Sequence, residues 1–443
     1  MREVYVVTSA QYNARPHLPF LRNLEAYIAR RDAELLVIPM AGKNIEERTL
    51  HEALQKHKIV DGRLRLNEKI QVERYHIRPQ QIDPITGIGR FSANDISTIF
   101  ESSKQRMKVV PNSVTNLPKV LMTTGAVTRP NYNIDNRIGR IADKDHIYGA
   151  IVVEITGAKE YHYRILRANS RGHFVDFGVK TYDGGIRTKV GLEAMIAGDW
   201  HTGDTDKKVR KATFDMIRTL KPQKLFLHDF FNGHSVNWFQ ERKKISQARH
   251  HRENRMSLED ELEICAKELR TINDVHSGRE VFIVKSNHDE RLDSYIQEAR
   301  YLDHTENLYI GSKLTGEMVD GIDPLVAGIS LFWEIPDNIT FLDRDTEIKI
   351  RRWLLSAHGD KGANGARGNV RGLENAYGRS VSGHSHTPEI YRDTIKVGTS
   401  SELNLDYNSG YASSWMNTHA LIYETGSFQL VNIINGKWRG QKS

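Results

Sequence analysis

The feature of this chain that most restricts its fold lies beyond residue 190, where short apolar runs recur and each ends in, or within two residues of, an Asp, Asn or His. The runs are Leu192–Ala197, Lys224–Leu227, Val281–Val284, Trp353–Ala357 and Ser380–Ser382. The polar groups that follow them are Asp199-Trp200-His201, Asp229, Asn287-His288-Asp289, His358 and His384-Ser385-His386. Short apolar runs without polar alternation suit strands buried on both faces. Between them, Lys207–Leu220, Ser257–Ile272 and Asp289–Arg300 have helical periodicity, and Ser257 and Asp260 have the spacing of a capping box. Strand, polar loop and helix in succession predict an α/β sheet, with the polar loops at the C-terminal edge of the strands, where open α/β folds bind ligands.

These polar groups are of metal-ligating type. In an extended segment Asp199 and His201 point the same way and can reach one ion, and His384-x-His386 in an extended turn sends two imidazoles toward neighbouring positions. A carboxylate such as Asp229 is the side chain best able to bridge two cations, at the roughly 3.5–4 Å separation a two-metal clamp uses. Asn287 offers a neutral hard oxygen. His288, beside it, can hydrogen-bond a phosphate oxygen or protonate a leaving alkoxide, and Asp289 can hold that imidazole in its useful tautomer. Singly, each group is also compatible with a capping carboxylate, a polar turn or a structural histidine; in ordered succession they specify a site.

Before residue 190 the pattern is less regular. Val4–Thr8, Leu18–Arg31 and Ala33–Pro39 read as strand, helix and strand, and Lys119–Gly125, Tyr148–Ile155 and parts of Tyr161–Tyr182 as further strand candidates. Residues 42–110 are polar and mixed, with charged helix-like pieces. Asp183-Gly184-Gly185 is a strong turn signal, and the domain boundary is placed there: an N-terminal α/β domain, 1–187, and a C-terminal domain, 188–443.

An apolar share of 39% and a charged share of 27% suit a soluble globular chain, and nothing approaches the run of about 18 apolar residues a membrane span requires. The single cysteine, Cys265, cannot form an intramolecular disulfide and reads as a small buried residue. No membrane and a cytoplasmic compartment are the expectation. The net charge of +7 is unevenly divided, with 30 Lys+Arg against 20 Asp+Glu in residues 1–190 and 33 against 36 beyond. A basic N-terminal part suits an anionic partner such as nucleic acid, or a solvated basic surface.

The order Asp-x-His, Asp-x-x-Asn, Asn-His-Asp, His-Gly, Gly-His-x-His over roughly residues 190–400 resembles the calcineurin-like metallophosphoesterase superfamily. The resemblance implies a β-sandwich flanked by helices and a two-metal centre. Asp199, His201 and His386 would hold one ion and Asn287, His358 and His384 the other, with Asp229 bridging and His288 the non-ligating catalytic histidine. Two divalent ions are implied, Mn²⁺ first, with Fe, Zn and Mg as alternatives. The chain departs from the family where Gly usually precedes the bridging Asp and the Asn-His pair, since His228 and Ser286 stand there. His228 could therefore add a hydrogen bond to substrate or simply pack in the strand end, and Asn232 could also contact substrate.

The resemblance covers several phosphoester classes. Three features favour DNA: the N-terminal charge excess; the run Glu241–Arg255 with Arg242, Lys243, Lys244, Arg249, His250, His251, Arg252 and Arg255; and the glycine-rich loop 359–372 with Lys361, Arg367 and Arg371. Trp200, Phe230, Phe231 and Trp238 are candidates for stacking on bases or for the core. The expectation is a metal-dependent nuclease by analogy with the SbcD-type exonuclease branch. The N-terminal part more loosely resembles phage-encoded DNA-transfer and host-DNA-degrading proteins. Two further readings use the same motifs: a phosphatase or small-molecule phosphodiesterase, with the basic part serving homo-oligomerisation, and a non-catalytic DNA-binding or structural protein with a vestigial site.

Overall fold

The structure, a computed structural model, describes residues 3–42, 48–78, 81–90, 95–113, 118–237, 244–405 and 410–439. Among them it is a mixed α/β arrangement of four sheets. A six-stranded sheet has the order Ile339–Leu342, Glu280–Val284, Lys224–His228, Leu192–Ile196, Thr418–Tyr423, Phe428–Asn432. The first four strands are parallel, Thr418–Tyr423 is antiparallel to them, and Phe428–Asn432 is antiparallel to it in turn. The helices Lys207–Leu220 and Leu258–His276 make the first two crossovers.

The period of two along these strands explains the layers. Leu225, Leu227, Val281 and Ile283 pack with the helices in one core, whereas Phe226, Phe282 and Val284 point into a second. That second core is closed by a ten-stranded sheet, to which Val381, Ile390 and Ile395 contribute from the C-terminal part and Val72, Ile99, Met107 and Met122 from the N-terminal part. A five-stranded sheet containing Val4–Gln11, Glu34–Met40, Gly149–Ile155 and Tyr161–Arg167 lines the same core with Tyr5, Val7, Ile151 and Val153. Its other face, with Val4, Val6 and Val152, is covered by the helix Leu18–Arg31.

The boundary expected near residue 187 does not separate two cores. Glu389–Tyr391 pairs antiparallel with Arg106–Val110, so one sheet runs through both parts. Asp183-Gly184-Gly185 is a turn, as expected, but it joins Val179–Tyr182 to Ile186–Lys189 and is packed against the first helix. A Cβ on Gly185, whose φ is +115°, would meet Ala26 Cβ at 2.4 Å. Residues 42–110, expected to be mixed and partly helical, supply the strands Arg63–Arg65, Ile70–Glu73, Ser97–Phe100 and Arg106–Val110 to the ten-stranded sheet. Among the described residues no helix is long and apolar enough to cross a membrane.

Candidate metal centre

Each expected ligand stands where a strand ends. Beyond Leu192–Ile196 the chain continues beside the end of Lys224–His228: Trp200 N–H donates to the His228 carbonyl (2.9 Å) and His201 N–H to that of Asp229 (2.8 Å). Across the cleft, Gly383 N–H donates to the His358 carbonyl (2.8 Å), and His384 N–H donates to Asp199 Oδ1 (3.0 Å). Gly383 is required at this crossing, because a Cβ there would lie 2.1 Å from Asp199 Oδ1. The strand Glu280–Val284 leads into the helix Asn287–Gln297, capped by Ser286 in a reciprocal box with Asp289, which sets Asn287 and His288 in the first turn facing the cleft.

The seven expected ligands come together in two groups that share Asp229. In the first, ligand atoms of Asp199, His201, Asp229 and His386 all lie within 4.8 Å of one another, and in the second the same holds for Asp229, His358 and His384. Asn287 Oδ1 joins the second, 3.2 Å from His358 Nε2 and 3.0 Å from His384 Nδ1. His201 Nε2 and His386 Nε2 are 2.9 Å apart, with His386 Nε2 3.3 Å from Asp199 Oδ2 and His358 Nε2 3.2 Å from Asp229 Oδ1. The extended geometry expected of the two His-containing pairs is not what places them. His201, Asp229, His384 and His386 have φ of +48°, +44°, +72° and +56°, which costs about 1–3 kcal/mol at each non-glycine residue and turns His384 and His386 into different groups.

The electrostatics are those of a site built around cations. Burial and the neighbouring Asp229 carboxylate push Asp199 up. Against its own burial, Asp229 is held well below the usual carboxylate range by the imidazoles of His358, His288 and His201. Burial pushes His201, His288 and His386 down, and His384 down to about 4. Only His358, whose burial is outweighed by Asp229, is raised, to about 9. Neutral imidazoles sharing a 2.9 Å gap have at most one proton between them, and Asp199 Oδ2 is buried without a hydrogen-bond partner among the described residues. A divalent cation answers both, and the O and N donors fit one.

Several expected roles change. Asp289 does not orient His288: its carboxylate accepts from Ser286 N–H (2.8 Å) in the helix cap, and the His288 Nδ1–H donates instead to the Asn232 backbone carbonyl. The Asn232 side chain is committed to Asp204 Oδ2 (2.9 Å). His228 is fully buried behind His358, their Nδ1 atoms 3.4 Å apart, so it cannot contact substrate. Arg371 is paired with Asp83 (3.0 Å), whereas Arg367 is exposed and its charge acts on buried Lys396. Trp200, Phe230 and Phe231 are core residues, so closed to bases. Cys265 is buried, as expected, and burial pushes its thiol well up. Trp238, Arg242, Lys243 and the side chain of Lys244 lie outside the described residues.

Sequence reading missed a cluster beside the first group. Asp204 takes His234 Nε2 (2.7 Å) and Arg255 (2.9 Å) as well as Asn232, and its own N–H donates to the His201 carbonyl (2.9 Å). The basic segment Lys244–Arg255 is thereby tied to the rim of the centre. Asp204 follows His201 by three residues, but nothing in the pattern links it to His234 or Arg255. Lys396, whose charge acts on Asp199 and His384, and Trp415, its ring 4.1 Å from that of His386, likewise had no signal.

The chain is 26% identical over 463 residues to Protein A1 of Escherichia phage T5, covering 98% of this chain and 82% of that protein. No protein-family profile matches, and no solved structure does.

Proposed function

We propose that this chain is a two-metal phosphoesterase of the calcineurin-like type, and that its substrate is DNA. The observation that carries the reading is Asp229, shared by two buried groups of metal-ligating side chains whose donors converge. Asp199, His201 and His386 would hold one cation, and Asn287, His358 and His384 the other. Two divalent ions supply Lewis acidity and a water activated near neutral pH. The mixed imidazole, carboxylate and amide donors favour Mn²⁺ over Mg²⁺.

His288 stands apart from the ligands. It is partly exposed where most of them are buried, and its ring centroid lies 4.9 Å from that of His201. Donation from Nδ1 to the Asn232 carbonyl leaves Nε2 to meet substrate; in the imidazolium form, which the negative charge of a bound phosphate favours, Nε2–H would pass its proton to a departing oxygen. The DNA assignment draws on charge: the basic excess before residue 190, the segment Lys244–Arg255 held at the rim through Asp204, and exposed Lys361 and Arg367 in the loop after His358.

The test is a panel of metals against linear and circular DNA, single strands, RNA and p-nitrophenyl phosphate. DNA cleavage with Mn²⁺ is expected, lost in Asp229→Ala together with metal binding. His288→Gln is expected to lose about 10²–10⁴-fold in kcat while still binding metal. Turnover of p-nitrophenyl phosphate with every DNA form left intact would replace the nuclease by a phosphatase. Salt-dependent DNA binding with no hydrolysis under any metal would overturn the enzyme reading itself.

A further inference from the structure

A cavity of about 570 Å³ lies where the N-terminal and C-terminal parts of the ten-stranded sheet meet. Arg379 and Asp393 line it, and they immediately precede the strands Ser380–Ser382 and Thr394–Lys396. The first of these strands runs on to His384 and His386, so the cavity opens at the opposite strand end from the metal centre. Its second wall is the helix Arg137–Lys144, which presents Arg137, Ile141 and Lys144 at the spacing of a single helix face.

The charges around this cavity do not balance. Asp393 serves both Arg167 (2.6 Å) and Arg379 (2.8 Å). Asp145 serves both Arg392 (3.2 Å) and Lys104 (3.7 Å), and Glu374 adds a second partner only to Arg392 (2.8 Å). Arg137 and Lys144 are exposed and have no ion-pair partner among the described residues. Arg106, also in the wall, is saturated by Asp83 and Glu389. Six cations thus face three carboxylates, and two of the six, Lys104 and Arg167, have side chains only 7% and 18% exposed. Each of these two shares its one carboxylate with an arginine and is only partly neutralised where it is buried, and a multivalent anion in the cavity supplies the missing charge. Ile82, Pro84, Ile141 and Ile147 form the apolar part of the wall, and Gln105, Gly378 and Tyr391 complete it.

We propose that this cavity binds a phosphorylated nucleoside, with its phosphates against Lys104, Arg137, Lys144 and Arg392 and its base against the isoleucines and Pro84. Free nucleoside triphosphates and the 5′-phosphorylated end of a nucleic-acid strand both carry this chemistry. The site is independent of whatever reaction the metal centre performs.

Titration calorimetry on the full chain in EDTA tests it, since without divalent ions the metal centre offers phosphate no cation. The probes are ATP, adenosine, tripolyphosphate, and a tetranucleotide with and without a 5′-phosphate. ATP or the phosphorylated tetranucleotide is expected to bind, with adenosine and the unphosphorylated tetranucleotide at least tenfold weaker. The double variant Arg137→Ser/Lys144→Ser, at exposed positions, should keep the wild-type melting temperature and weaken binding about tenfold or more. Asp229→Ala should bind as wild type does. Tighter binding of ATP identifies a free nucleotide as the ligand, and tighter binding of the phosphorylated tetranucleotide identifies a strand end. The proposal is overturned if no phosphorylated probe binds, if the double variant binds unchanged, if Asp229→Ala abolishes binding, or if tripolyphosphate alone matches ATP.

Discussion

His228 shows how a residue without access to substrate can still tune the centre. His358 directs Nε2 toward Asp229 and Asn287, so its proton sits on Nδ1 and is donated across 3.4 Å to His228 Nδ1. The two rings stack with centroids 5.6 Å apart, and burial pushes His228 down to about 3, which keeps it a neutral acceptor. A buried partner that fixes a ligand's tautomer and orientation typically sets about 10- to 100-fold in metal affinity. His228→Ala is therefore expected to weaken Mn²⁺ binding by about that factor in titration calorimetry, with the secondary structure by circular dichroism retained. Unchanged affinity would mean that His358 is held by its neighbours alone. The position is where the sequence departs from the resembling family's usual glycine, so the departure was visible beforehand but its consequence was not. The neighbour that gives it meaning is 130 residues away.

At the scale of elements, the first turn of the helix Asn287–Gln297 couples stability to the second ligand group. Ser286 accepts from the His288 and Asp289 N–H groups, and Asp289 returns the bond to Ser286 N–H. Ser286→Ala is expected to cost about 1 kcal/mol of stability, read from urea denaturation. Because Asn287 opens that turn, the variant should also weaken metal binding at the His358 and His384 group more than at the His201 and His386 group. Equal loss at both would separate the cap from ligand placement. Three strands of the six-stranded sheet and its first two crossovers were legible because Leu225, Phe226 and Leu227, or Val281 to Val284, are apolar on both faces and each ends in a ligand-type residue; Ile339–Leu342, Thr418–Tyr423 and Phe428–Asn432 went unread, and the runs at Trp353 and Ser380 lie in the ten-stranded sheet instead. In the N-terminal half of the ten-stranded sheet only Lys119–Thr123 was, because the other strands carry polar side chains: buried Gln71 bonds Glu73 (2.8 Å), exposed Arg63 pairs with Glu73 (2.6 Å), and buried Ser97 Oγ receives both Val120 N–H and Tyr161 O–H. Such strands have no hydropathy signature until their partners are known. The site was legible as a ligand set, whereas Asp204, His234 and Arg255 became visible only once the fold brought them together.

For the whole molecule the question is whether its two parts can separate. Arg164, buried in Tyr161–Arg167, holds Glu154 (2.8 Å) and Asp176 (2.7 Å); Asp176 also accepts from Tyr27 O–H (2.6 Å) and from Gln429 Nε2 (2.8 Å) in the last strand. The network thus joins the first helix, the five-stranded sheet and the six-stranded sheet. Arg164→Leu leaves buried Asp176 without a cation and Glu154 with Arg31 alone, and is expected to cost about 3–5 kcal/mol. Against their burial, Arg164 holds Asp176 and Glu154 below their ordinary values of 3.8 and 4.5. Their contribution is therefore complete above the unfolded values and is lost as pH falls through the lower folded ones. Acidification below about pH 4.5 should accordingly lower the melting temperature of the wild type more steeply than that of Arg164→Leu/Glu154→Gln/Asp176→Asn. The shared core and the continuous ten-stranded sheet further require both parts to unfold together. All six tryptophans lie beyond residue 190, so their fluorescence follows the C-terminal part while far-ultraviolet circular dichroism follows the whole chain. The two signals should give one urea midpoint, and Arg164→Leu should move both equally. A fluorescence transition that stays in place while the circular dichroism curve splits would show that residues 188–443 hold their core without the N-terminal strands, against the pairing of Arg106–Val110 with Glu389–Tyr391.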